Sequence, residues 1–152
     1  MSLLTLDIKP KTGFGEICFG DSSEKVISVL GQPEDMENIE DVDGFPTVVL
    51  YYYELGVTAF FEGREKSVVA CFETENPDAT MFGKTIFKMT REDILELMTS
   101  KGYEVAEMEV EITGEHRVSY DDAMIDFFFD DGSLIIVNWG VLINEAGEIE
   151  EL

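Results

Sequence analysis

The side chains that most often do chemistry are few and scattered in this chain. His116 is the only histidine. As a general base it would need a nucleophile brought within hydrogen-bond reach by the fold, and its flanks, Glu115 and Arg117, read instead as an exposed polar turn. One histidine cannot build a histidine-rich zinc site, and two cysteines far apart in sequence are a poor substitute for the missing ligands. Asp41-Val42-Asp43-Gly44 invites comparison with a calcium loop. With Gly44 at the sixth position, Asp41 and Asp43 take the third and fifth, but Ile39 falls at the first and Leu50 at the twelfth, where carboxylates are needed. The acidic clusters Glu40, Asp41, Asp43 and Asp121, Asp122, Asp130, Asp131 leave weak cation binding open, with solvated turn residues the simpler account. Paired carboxylates of the glycosidase kind cannot be singled out where acids are everywhere. There is no glycine-rich phosphate loop, nucleophile elbow or Cys-x-x-Cys motif. The expectation is therefore no catalytic residue, no metal and no cofactor.

The charge balance points outward, to partners. Against 33 acidic side chains stand 10 basic ones, a formal net charge of -23. Such a chain repels nucleic acid and anionic lipid, because the phosphate term that dominates those encounters becomes unfavourable. The expected partner is a protein, a basic one being favoured by charge, with no nucleic acid and no membrane insertion. Neither a basic start followed by an apolar run nor an apolar span of bilayer length occurs, which makes the cytoplasm the expected location. Cys18 and Cys71 lie within Ile17-Cys18-Phe19 and Ala70-Cys71-Phe72, where buried reduced thiols behave as small hydrophobes. A single disulfide is open if those two strands are neighbours.

The elements that would position any site are legible in part. With 152 residues, 45% of them hydrophobic, the chain suffices for one domain over 1–152 with its own core. A first helix starts at an Asp21 or Ser22 cap, carries its apolar stripe on Val26, Ile27, Val29 and Leu30, and ends at Gly31 before Pro33. The acidic stretch from Glu34 to Gly44 reads as an exposed connection. Strands are expected over Thr47–Tyr53, Val57–Phe61 and Ser67–Phe72, with turns at Gly56 and Gly63. A second helix begins at Thr90, with Asp93 at capping-box spacing, Met89 and Ile94 as a hydrophobic staple, and Gly102 as its end. Ala106 to Ile112 alternates apolar residues with Glu107, Glu109 and Glu111, which predicts a strand with one wet acidic face and one dry face. His116–Tyr120 is a short returning strand. Met124–Phe129 and Ser133–Trp139 flank Asp130-Asp131-Gly132, a tight-hairpin signal. An acidic tail, 145–152, is expected to be loose.

The halves resemble each other, approximately over 14–73 and 84–143. Phe19 to Leu30 laid over Phe87 to Met98 puts cap on cap and stripe on stripe. Downstream, Tyr51-Tyr52-Tyr53 laid over Phe127-Phe128-Phe129 implies an insertion of about eight residues in the second copy. The run from Phe19-Gly20-Asp21-Ser22 through Val26 to Leu30-Gly31-Gln32-Pro33 resembles the G-x-S/T-x-x-x-V-x-x-x-L-G-x-P opening of the β-lactamase-inhibitor-like and SmpA/OmlA-like folds. The second copy departs from it, with Lys88 in place of the glycine and Thr99 where Gly31 would fall. The resemblance implies an α+β fold in which two tandem helix-plus-antiparallel-hairpin repeats share a curved antiparallel sheet, with helices on one side. It implies protein binding rather than enzyme activity.

Aromatic residues are the remaining functional signal. A sheet covered on one side would expose one set, so Tyr51, Tyr53, Trp139, Phe127 and Phe129 are the expected binding residues, against a competing reading in which they form two core layers. The functional expectation is a non-enzymatic protein-binding module, of inhibitor, immunity or chaperone type, using an aromatic sheet face and an acidic rim. The alternative is a small hydrolase-like enzyme using Asp/Glu residues and His116 in a cleft between the repeats.

Overall fold

In the computed structural model the described residues are 5–40, 46–63, 66–110, 115–144 and 146–150. The first half opens with three short strands, β1 (Asp7–Lys9), β2 (Gly13–Phe14) and β3 (Ile17–Cys18). Helix α1 (Ser23–Leu30) starts where Ser22 Oγ accepts from the Lys25 N–H at 3.3 Å, and it ends at Gly31, whose φ of 90° glycine alone adopts without strain. Four strands follow: β4 (Asp35–Glu40), β5 (Pro46–Tyr52), β6 (Val57–Glu62) and β7 (Val68–Thr74). The second half repeats the order, with β8 (Thr80–Met81), β9 (Lys84–Thr85), a 3-10 turn over Ile86–Lys88, and helix α2 (Arg91–Ser100). Thr90 Oγ1 accepts from the Asp93 N–H at 3.1 Å, while the Asp93 carboxylate accepts from the Thr90 N–H at 3.3 Å, which completes the reciprocal cap expected from their spacing. Then come β10 (Glu107–Val110), β11 (Glu115–Tyr120), β12 (Ile125–Asp130) and β13 (Ser133–Gly140), and a closing hairpin of β14 (Leu142–Ile143) and β15 (Ile149–Glu150).

The result is a mixed α+β fold with two α-helices among the described residues and mostly antiparallel sheets. The largest sheet runs β10-β11-β12-β13-β7-β6-β5-β4, antiparallel throughout. A smaller one runs β3-β2-β1-β8-β9, and its β1–β8 pairing is parallel. Cross-strand partners share a face, so the registers sort the large sheet into two sets. One set, including Tyr52, Ala59, Phe72, Trp139, Phe127 and Val118, is buried with Val26 of α1, Ile94 and Met98 of α2, and Ile8 and Phe14 of the small sheet. The other set contains Tyr51, Phe60, Asn138, Phe128 and Arg117, all half-buried. No helix among the described residues is long and apolar enough to cross a membrane.

Several expectations are corrected. Asp35–Glu40 is a strand rather than a connection: it is exposed at every residue and held by its ladder to β5 rather than by burial. The strand β10 has no dry face, since all four of its residues are exposed at the far edge of the sheet; Glu111 and Ile112 lie outside the described residues. The tail contributes β15 instead of staying loose. Both cysteines are free, and Cys18 is exposed rather than buried. His116 sits half-buried between Val110 and Phe129 within β11, which agrees with the returning strand expected over His116–Tyr120 and not with an exposed turn.

The proposed match of Tyr51-Tyr52-Tyr53 with Phe127-Phe128-Phe129 is not followed either. The tyrosines end the second strand after α1, whereas the phenylalanines form the third strand after α2. Strands in the same place in each half match with no insertion: the offset that carries Ser22 to Thr90 also carries Tyr52 to Tyr120 and Phe60-Phe61 to Phe128-Phe129. Both halves break register at that last pair, between their third and fourth strands.

The halves meet at β7 and β13, where Thr74, Glu73, Phe72 and Cys71 face Val137, Asn138, Trp139 and Gly140. A Cβ added to Gly140 would stand 2.5 Å from the Ala70 carbonyl oxygen, so the close approach of this seam needs glycine. Trp139, with no exposed surface, packs edge-on to Phe14 at 5.0 Å between ring centres and against Phe72 at 5.7 Å. Its indole N–H donates to the Gly13 carbonyl at 2.9 Å, tying the last long strand to the first hairpin. Trp139→Ala should therefore cost about 3–5 kcal/mol in denaturant unfolding. Trp139→Phe, which keeps most of the packing and loses the hydrogen bond, should cost about 1–3 kcal/mol; equal losses in the two variants would contradict this division.

Candidate functional site

Of the five aromatic residues expected to bind, the structure brings two to the surface and buries three. Trp139, Phe127 and Phe129 have no exposed surface and belong to the core. They are corrected from surface anchors to packing residues, because the strand pleat puts them on the set that meets the helices. Phe128, which takes the alternate position, is half-buried on the other face. Polar neighbours on β12 carry a signal for this: Asp126 and Asp130 have the parity of Phe128, so Phe127 and Phe129 must point the other way. By the same reasoning Thr58 and Glu62 mark Phe60 as outward.

Tyr51 and Tyr53 share the outward face and form a pair. Their rings stack at 5.6 Å between centres with planes 14° apart, and 61% of Tyr53 is exposed. The hydroxyl of Tyr51 donates to Glu37 Oε1 at 3.3 Å, and that of Tyr53 donates to Asp35 Oδ2 at 3.2 Å. The Tyr53 N–H also donates to the Glu34 carboxylate at 3.1 Å. Partial desolvation and the nearby Glu37 raise the Tyr51 phenol above its ordinary pKa; partial desolvation and the hydrogen bond to Asp35 do the same for Tyr53. Both phenols therefore stay neutral donors. Tyr52, between them, turns inward and donates to the Gly31 carbonyl at 2.9 Å, joining the end of α1 to the sheet.

Carboxylates dominate the rest of this face. A cleft of about 250 Å³ beside Tyr53 is lined by Thr58, Glu73, Glu75 and Ile136. Burial, and then the charge of Glu75, raise the Glu73 carboxyl above the usual range. A second groove, of about 530 Å³, is bordered by Glu62, Cys71, Asp126, Asn138 and Leu142. At the β10 edge, Arg117 lies 3.5 Å from Glu107, 2.9 Å from Glu109 and 4.0 Å from Asp126, so one cation partly offsets the acids there. At the β4 edge the reverse holds: from Glu34 to Glu62 the sequence contains no lysine or arginine.

Among the described residues, the metal-binding chemistry weighed from sequence is not assembled. His116 has Val110 and Phe129 as its ladder partners. Asp121 and Asp122 precede β12 while Asp130 and Asp131 follow its start by a full strand, roughly 17 Å at the usual rise, so the two pairs cannot share a cation. No cluster of three or more metal-ligating side chains occurs among the described residues. Asp41 and Asp43 lie outside the described residues.

The two thiols differ in environment. Burial, followed by the charges of Glu73 and Glu62, pushes the Cys71 thiol up to about 12, and its Sγ lies 3.5 Å from the Asn138 side-chain oxygen. Cys18 is exposed. Iodoacetamide at mildly alkaline pH should therefore modify Cys18 in the folded protein and reach Cys71 only after denaturant is added. Mass-spectrometric mapping of the adducts checks this, and early labelling of Cys71 would contradict the burial described.

A scan against protein-family models finds no match, and a search of curated proteins finds none either. Among solved structures the chain is similar to a DUF4309 family protein, YjgB, from Bacillus subtilis subsp. subtilis str. 168. The identity is 18%, over 77% of this chain and 76% of that one, with a TM-score of 0.41.

Proposed function

We propose that this chain is a non-enzymatic protein-binding module that recognises its partner with the outward face of the large sheet, centred on Tyr51 and Tyr53. The observation that carries this reading is the stacked, carboxylate-anchored tyrosine pair on the outward face, Tyr53 exposed and Tyr51 half-buried, within a stretch of sequence that has no lysine or arginine from Glu34 to Glu62. Two rings already fixed by stacking and by hydrogen bonds lose little side-chain entropy on binding. Tyrosine is also among the residues that most often act as binding anchors, and its face attracts lysine and arginine. The surrounding carboxylates steer a basic partner toward the rings and disfavour an acidic one. Phe60, Phe128 and Ile136, half-buried on the same face, extend the apolar part of the surface.

We also infer that the two halves arose by duplication and share one curved sheet with helices on a single side. Support comes from the repeated order of helix and four strands, the common sequence offset and the matching register breaks. Duplication accounts for an arrangement that covers one face and leaves the other free for a partner. Inhibition, toxin neutralisation and chaperoning are concrete forms that such a surface could take.

Capture of partners from the native cell extract at low and high salt tests this reading. A stoichiometric basic protein that is released at high salt is the expected result, and Tyr53→Ala should weaken its capture by about 2 kcal/mol or more, the loss typical of an anchor. Because Tyr53 is exposed, thermal unfolding of the variant should be nearly unchanged. Loss of capture only in parallel with loss of folding would instead give Tyr53 a structural role.

A further inference from the structure

We infer that the outer edge of β4 accepts an extended, lysine- or arginine-bearing segment of the partner as one more strand of the large sheet, a proposal that rests on the protein-binding reading above. The strand β4 ends the sheet, and its ladder to β5 runs from Asp35↔Tyr51 to Glu40↔Pro46 without a shift. Regular, extended backbone of this kind presents a row of donors and acceptors to any strand laid beside it. Natural edges are usually protected by lysine, proline, a bulge or a covering element. Asp-Met-Glu-Asn-Ile-Glu carries no lysine or proline, all six residues are exposed, and no described residue forms a strand on its outer side.

The charges specify the occupant. A second copy of this chain would bring its own acids against Asp35, Glu37 and Glu40, and like charges opposite each other in a ladder are destabilising. An incoming strand with a cation at every second residue would put those cations beside Asp35 and Glu37, against the rings of Tyr51 and Tyr53. Its intervening residues would meet Met36, 57% exposed, on the other face. The opposite edge is less suited, because Arg117 already pairs with Glu107 and Glu109 on β10 and stands against an incoming cation there. Main-chain pairing would supply affinity in this mode, and the alternating side chains would supply selectivity.

A short peptide alternating lysine with valine is the probe, used with two derivatives N-methylated at alternate residues, one set in each parity. Only every second N–H of a strand points at its neighbour. The full-length protein should bind the parent peptide in a salt-dependent way, with slower amide exchange confined to β4. One methylated derivative should lose at least about tenfold in affinity, equivalent to one or two hydrogen bonds, while the other binds as the parent does. Equal binding of all three peptides, still weakened by Tyr53→Ala, would overturn strand addition while leaving the tyrosine surface intact as a basic-partner site. Equal loss by both derivatives, or no binding of the parent, also overturns strand addition; recovery of a basic partner from extract would then still sustain the broader reading.

Discussion

The seam between β7 and β13 is the contact on which the rest of the molecule depends. Each half by itself is two or three short strands, a helix and four further strands, too thin to enclose its own apolar side chains. Pairing the two inner strands places Phe72 beside Trp139 and makes one continuous core from Ile8 to Trp139. The seam tolerates no side chain at Gly140, and its largest residue reaches back to the Gly13 carbonyl. Assembly of the halves and closure of the small sheet are thus coupled: the indole that fills the core between them also donates to a backbone carbonyl of the first hairpin.

The same arrangement separates packing residues from surface residues. The pleat sends alternate residues of each strand to opposite faces, so Tyr52 locks α1 to the sheet while its neighbours Tyr51 and Tyr53 stand outside. Likewise Phe127 and Phe129 support the core while Phe128 faces outward. Surface residues can therefore vary while the packing residues, one position away, stay the same.

Local chemistry made both helices legible in the sequence. Ser22, Gly31, Thr90 and Asp93 act through bonds and dihedrals that neighbouring residues determine, and those bonds are present. The parity of the aromatic runs was harder, because Val-Val-Leu-Tyr-Tyr-Tyr and Phe-Phe-Phe have no internal alternation, and only register with distant strands assigns their faces. Asp126 and Asp130 share the parity of Phe128 and so place it, which the aromatic run by itself does not. Edge strands were the least legible. The two outermost strands owe their form to backbone pairing with β5 and β11, and exposed residues leave no hydrophobic periodicity to read.

The strand order has a consequence for how the chain reaches this structure. In the large sheet every pairing except β7–β13 joins strands consecutive in sequence. Most ladders can thus form by closing short loops, each a small entropic loss, and the two half-sheets can develop independently of one another. The remaining step must bring together strands separated by the whole second helix and five strands. Folding speed is consequently limited by long-range searches, this one and the parallel β1–β8 pairing of the small sheet, at the end of many local ones, and until the seam closes both inner strands stand as unsatisfied edges. The interval before seam closure is when the chain is most open to pairing with the wrong strand, and its large negative charge then keeps separate copies apart.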